Sequence, residues 1–155
     1  MSGTTKIEER DRMPSGFRPL LFDDGFIEHN GPVYVDRSSA EPVFGFRITD
    51  SHCNPMGICH GGWVATMMDM VLPLTARFST PDLDEKFLLT INMTIDYLGS
   101  ARVGAWVEGR GQVLKRTGRM VFMQGLLSVD GDPVARGSGI FRIGPPAPAI
   151  DTLLG

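Results

Sequence analysis

The chain reads as one α+β domain in which a curved antiparallel sheet wraps a long central helix. Three observations predict this: a dense apolar run from Gly61 to about Phe78, four strand-like runs after it, and turn-forming pairs between those runs. At 155 residues the chain can build one substantial core, and nothing in it suggests a second.

Taken in order, Met1 to Met13 carries Lys6, Glu8, Glu9, Arg10, Asp11 and Arg12 with little to bury. Residues 1–16 are therefore expected to form a flexible arm, ahead of a domain at 17–144. Phe17, Leu20, Leu21 and Phe22 suggest a short amphipathic segment. Phe26 to Glu28 and Val33 to Val35 flank Asn30-Gly31, a hairpin signal, and Val43 to Ile48 reads as another strand. Trp63, Val64, Met67, Met68, Val71, Leu72 and Leu74 recur too densely for a one-sided surface helix, so the helix should be buried nearly all round. The strands Phe87 to Leu98, Val103 to Leu114, Arg119 to Val129 and Val134 to Ile143 alternate with period two. Gly99-Ser100, Thr117-Gly118 and Asp130-Gly131 separate them, predicting antiparallel hairpins. Pro145, Pro146 and Pro148 should end the sheet in a Pro-rich tail at 145–155.

The formal net charge is −3 and the basic residues are scattered, which argues against a nucleic-acid partner. No apolar run approaches a membrane span, no charged-then-apolar leader opens the chain, and Cys53 and Cys59 are the only cysteines. A reducing, cytoplasmic setting is expected.

Asn54-Pro55-Met56-Gly57-Ile58-Cys59-His60-Gly61-Gly62 leads into the helix, which carries one carboxylate, Asp69, within its apolar run. A helix start leaves unpaired N–H groups at the positive end of the macrodipole, and glycine lets a ligand oxygen approach them. Gly61 N–H, helped by Gly62, would polarise an acyl carbonyl; Asp69 would activate a water or attack directly. Burial against Met67, Met68 and Val71 would make Asp69 a stronger base. Asn54 could orient the water or the thioester, and His60 could brace the loop. His60 and Asp69 are nine residues apart, ~13 Å along a helix, so both reach one reacting carbon only if the acid comes from a second copy. Pro73, four residues after Asp69, cannot donate to the Asp69 carbonyl and should either kink the helix there or end it early.

The N-x-x-G-x-x-H-G-G segment followed by Asp nine residues after the His resembles the signature of the hotdog-fold acyl-CoA thioesterases. Thr90 to Leu98 and Pro133-Val134-Ala135-Arg136-Gly137 resemble later parts of that family, from about Val43 to Ile143. It resembles in particular the phenylacetic-acid-degradation (PaaI-like) and thioesterase-superfamily-member-2-like branch, to which an Asp rather than a Glu at position 69 is similar. The resemblance implies hydrolysis of an acyl-CoA thioester to a carboxylic acid and free coenzyme A, with no metal and no cofactor beyond the coenzyme A of the substrate. It implies Asp69 as catalytic acid, Gly61 as oxyanion amide, His60 and Asn54 near the thioester, and Thr90 orienting the water. By strand parity Thr90 lies with Asn92 and Thr94, so the strand must curve to bring it to the site. Lys115, Arg116 and Arg119 would meet coenzyme A phosphates. Phe17, Phe22, Trp63, Met67 and Phe78 could line an acyl pocket. A homo-oligomer is implied, at least a dimer with shared sites, and dimers of dimers are common in the family.

Two rivals are weaker. A non-catalytic acyl-CoA sensor usually carries a DNA-binding extension and lacks the acid, which this chain keeps. His52-Cys53 and Cys59-His60 offer four ligand atoms, but not at the spacing of structural zinc sites.

Overall fold

The computed structural model describes residues 13–155, so most of the expected N-terminal arm lies outside the described residues. The element order is β1 (Phe17–Leu20), α1 (Phe26–Asn30), β2 (Val33–Asp36), β3 (Val43–Arg47), α2 (Gly61–Ser79), β4 (Lys86–Tyr97), β5 (Trp106–Arg116), β6 (Met120–Val129) and β7 (Asp132–Pro146). Seven strands form one antiparallel sheet in the order β1-β2-β3-β5-β6-β7-β4.

The sheet closes on α2 through a trough of glycines. Gly111 lies opposite Gly125, and Gly125 opposite Gly137. A Cβ at these positions would stand 2.7 Å from Thr75 Oγ1, 2.7 Å from Leu72 Cδ2 and 2.8 Å from Met68 Cγ respectively. The side chains of α2 occupy that space instead, which lets helix and sheet approach more closely than side chain against side chain would allow. Met67, Met68, Val71 and Leu72 of α2 are fully buried, each contributing about 1.5–3 kcal/mol of transfer free energy.

Burial is not complete around the helix. Ala65, Thr66, Asp69, Met70 and Pro73 are only partly buried, and their spacing makes one continuous stripe that the sheet, among the described residues, leaves partly open. Asp69 therefore sits on an open face rather than packed among Met67, Met68 and Val71. Pro73 does not end the helix early, which runs on to Ser79.

Four other expectations change. Phe17–Leu20 is a strand, not an amphipathic segment, and it pairs with β2. Phe26–Asn30 is a short helix and Asn30-Gly31 is no hairpin. A two-residue hairpin there would need an N–H from the next residue, which is Pro32. Gly99-Ser100 is not a hairpin turn either: β4 pairs with β7 across the sheet, and β5 pairs with β3. The sheet does not stop at Gly144, since β7 runs to Pro146 with Lys86 opposite it. The C-terminal segment then packs onto the body, with Ile150 buried and Arg77 donating to the carbonyls of Asp84 and Pro148.

Candidate active site

The loop before α2 organises itself. Asn54 Oδ1 accepts from the N–H groups of Met56 at 2.9 Å and Ile58 at 3.4 Å, while Gly57 N–H donates to the Asn54 carbonyl at 3.0 Å. Gly57 has φ +71°, a conformation that glycine adopts without strain. Asn54's side-chain oxygen is thus spent on the turn, and its amide NH2 is the part left for a ligand.

His60 is the N-cap of α2, its Nδ1 accepting from Gly62 N–H at 2.8 Å. This fixes the loop, and it also commits the Gly62 amide, which cannot assist Gly61 as expected. Among the described residues nothing accepts from Gly61 N–H, so that donor is open at the positive end of a 19-residue helix. The Tyr97 hydroxyl donates to the Gly61 carbonyl at 3.1 Å. Behind the loop, His52 is buried and stacked on Trp63 with ring centroids 4.3 Å apart. Its Nδ1 accepts from Thr49 N–H, so Nε2 carries the proton and donates to the Asn30 carbonyl. Both nitrogens of His52 are committed to structure.

Two turns along α2, the Thr90 hydroxyl donates to Asp69 Oδ1 at 2.7 Å. Thr90 reaches the helix because β4 breaks register between Thr90 and Asn92. That bulge reverses parity. Leu88 and Thr90 face α2 before it, and Met93, Ile95 and Tyr97 afterwards, leaving Ile91 exposed. Tyr97 is the residue that sequence reasoning passed over. It is seven residues from Thr90, an odd separation that unbroken alternation would place on opposite faces. The bulge alone brings both to the helix, and no residue type in Thr90-Ile91-Asn92 announces it.

The sequence-derived residues therefore fall into three groups. Asn54, His60 and Gly61 meet at the helix start, and Asp69 meets Thr90. Eight residues of continuous helix separate Gly61 from Asp69, ~12 Å, so one chain does not bring them to one atom. The third group, Lys115, Arg116 and Arg119, lies at the β5–β6 turn. Thr90, Phe141, Val121 and Arg116 are successive partners across four strands, which puts Arg116 ~14 Å from Thr90. Arg116 is held by Asp82, each keeping the other charged, whereas Lys115 and Arg119 are exposed.

The expected acyl-lining set does not assemble. Phe17 packs edge-on against Trp106, Phe78 contacts Phe44 and Arg37, and Trp63 stacks on His52 with Phe26 tilted against it. A recess of about 710 Å³ is elsewhere as well. It lies on the sheet face away from α2, over a polar row of Thr94, Ser138, Gln124 and Gln112.

Comparison with known proteins places this arrangement. The family model of the thioesterase superfamily matches residues 56–135, which include Gly61, Asp69 and Thr90. A Pseudomonas aeruginosa protein named as a candidate esterase is 32% identical over 132 residues, covering 84% of this chain and 97% of its own. Zebrafish thioesterase superfamily member 2 is similar at 25% identity and TM-score 0.64, over 72% of this chain and 81% of that one. A mutant of the phenylacetic acid degradation protein PaaI from Thermus thermophilus shares the fold at 22% identity and TM-score 0.64, over 77% and 99%. So does a thioesterase-like protein of Streptococcus pneumoniae solved with coenzyme A, at 15% identity and TM-score 0.63, over 74% and 88%. With a seven-stranded sheet around one helix, and an acid and an open amide on that helix, the chain belongs to the thioesterase superfamily as a hotdog-fold hydrolase of the thioester or ester type.

Proposed function

We propose that the protein hydrolyses an acyl-CoA thioester, with Asp69 as general base and Gly61 N–H as oxyanion donor, in sites shared between two copies of the chain. The observation that carries this reading is the Thr90 to Asp69 hydrogen bond on the partly open stripe of α2. Thr90 gives its only proton to Oδ1, so its lone pairs can hold a water whose proton faces Oδ2. A hydrogen-bonded carboxylate is a poorer nucleophile, which favours the base over the mixed anhydride. Asp69 takes the water proton as the water oxygen bonds to the acyl carbon, and the carbonyl electron pair moves onto oxygen opposite the Gly61 N–H. Collapse expels the thiolate, which recovers the proton from Asp69.

Three further points support the details. The outer edge of β4 is unpaired among the described residues and carries exposed Phe87, Leu89 and Ile91, a surface suited to a two-fold partner. Such a partner would cover the open stripe. Lys115 and Arg119 are free to meet phosphates, and the Streptococcus protein of the same fold was solved with coenzyme A.

The test is thiol release from phenylacetyl-, benzoyl-, short-chain and long-chain acyl-CoAs by the wild type, Asp69→Ala and Gly61→Pro. Proline removes the amide but suits the first helical position, and His60 at ψ 137° already has the conformation that a following proline prefers. Each variant alone should lose turnover by about 10²-fold or more. Co-assembled, they should recover it, because mixed dimers hold one intact site. Absence of recovery in verified mixed dimers would put both groups in one chain. Binding of acyl-CoA without turnover by the wild type would mark a sensor instead.

A further inference from the structure

We propose that Cys53 and Cys59 form a modification site, an intramolecular disulfide that reversibly clamps the base of the loop carrying Asn54. The backbone defines the pair. Asn54 N–H donates to the Ile58 carbonyl at 2.9 Å and His60 N–H to the His52 carbonyl at 2.8 Å. These bonds flank Cys53 and Cys59, making them directly opposed residues of an antiparallel, non-hydrogen-bonded pair. In such a pair the Cα atoms lie ~4.5 Å apart and both side chains leave the same face. A disulfide needs a Cα separation of ~4.4–6.8 Å, so the pair can be bridged without moving the backbone.

The two thiols have different access. Cys59 is 6% exposed, whereas Cys53 is partly open to solvent. Burial pushes the Cys59 thiol up to about 12, and the nearby Cys53 adds to the rise. Cys53 is also raised, by burial first and then by Asp50. Oxidation therefore begins at Cys53. Its thiolate attacks one sulfur of a small-molecule disulfide such as glutathione disulfide, breaking that S–S bond and releasing one glutathione thiolate. Cys59 then attacks the Cys53 sulfur of the mixed disulfide, forming the internal bond and releasing the second glutathione. Two protein thiols are oxidised, one disulfide is reduced to two thiols, and the cysteine protons pass to the departing thiolates. Because both cysteines are raised, the reaction is slow at neutral pH and accelerates as pH rises.

The bond would join the residue before Asn54 to the residue before His60, so the turn and the helix cap would move as one piece. The experiment uses the native full-length protein in glutathione disulfide, quenched by acid, unfolded and alkylated. No arginine or lysine lies between Arg47 and Arg77, so both cysteines fall in one tryptic peptide. The expected result is loss of both alkylatable thiols together, a mass lower by two hydrogen atoms, a faster reaction at higher pH, and full reversal by dithiothreitol. A product that stops as a glutathione adduct on Cys53, with Cys59 still alkylatable, would overturn the proposal. So would a chain-to-chain disulfide, and neither outcome depends on whether the protein hydrolyses thioesters.

Discussion

The two long faces of α2 are drawn from similar residues and end in opposite circumstances. Met68, Leu72 and Thr75 point into the glycine trough of β5, β6 and β7 and are sealed from solvent. Ala65, Thr66, Asp69, Met70 and Pro73 lie on another side of the helix, where among the described residues the sheet reaches Asp69 through Thr90, and they stay partly open. The difference arises in the sheet more than in the helix. Where the strands offer glycine, the helix is drawn in and that face becomes pure packing. Where they offer the Thr90 hydroxyl and leave the rest open, the helix can carry a carboxylate whose burial without a partner would cost several kcal/mol. One face holds the fold together, and under the proposed function the other takes a substrate and a second subunit.

Substitutions on the two faces should therefore separate activity from stability. The largest effect belongs to Asp69→Asn, which keeps the side-chain shape and removes the proposed base. It should lower kcat by ~10²–10⁴-fold while Tm stays within a few degrees of wild type. Loss of Tm along with activity would mean that the open face is also structural. Gly125→Val is the converse. Its side chain would meet Leu72 and the Arg110 carbonyl, and overpacking of this kind costs about 1–3 kcal/mol. Thermal unfolding should shift down by several degrees, with turnover per folded molecule preserved well below the transition.

The helix and its packed face were legible because the period of Trp63 to Leu74 survives in the fold. The strands β6 and β7 were legible because Thr117-Gly118 and Asp130-Gly131 are hairpin turns in fact. The open stripe was not legible: the same apolar density fits a helix covered on every side, and only the sheet order decides which side is left bare. That order places β4 beside β7, a long-range pairing that no local turn signal encodes. Pro32 is a different case. Its missing N–H forbade the Asn30-Gly31 hairpin in plain sight. At the site, Asp69, Gly61 and His60 stand where the motif points, but the commitment of the Gly62 amide to His60 and the capture of Arg116 by Asp82 are tertiary facts.

Thr90 sharpens the contrast, since it belongs to the sheet yet serves the open face. Thr90→Val keeps the shape and removes the donor to Asp69. A hydrogen bond to an ionised group is worth ~1.5–3 kcal/mol when shielded and less at this partly open position, so kcat should fall about tenfold. Thr90→Ser should restore most of it, because the hydroxyl and not the methyl carries the role. Equal losses in both variants would assign Thr90 to strand packing around the bulge.

Pro73 carries the smallest effect and bears directly on whether the open face depends on the shape of the helix. Its ring lies on the stripe, and position 73 supplies no N–H to the Asp69 carbonyl, although the helix continues through it to Ser79. In Pro73→Ala the new N–H can bond that carbonyl and the ring no longer crowds it, so Tm should rise. Closing that bond shifts the Asp69 backbone relative to Thr90, which is anchored in β4. A few-fold fall in kcat with KM unchanged, in a more stable protein, would show that the proline holds the acid in position at a cost in stability. An unchanged kcat in the same more stable protein would mean that the Thr90 bond alone positions Asp69, and that the open face works independently of the missing hydrogen bond beneath it.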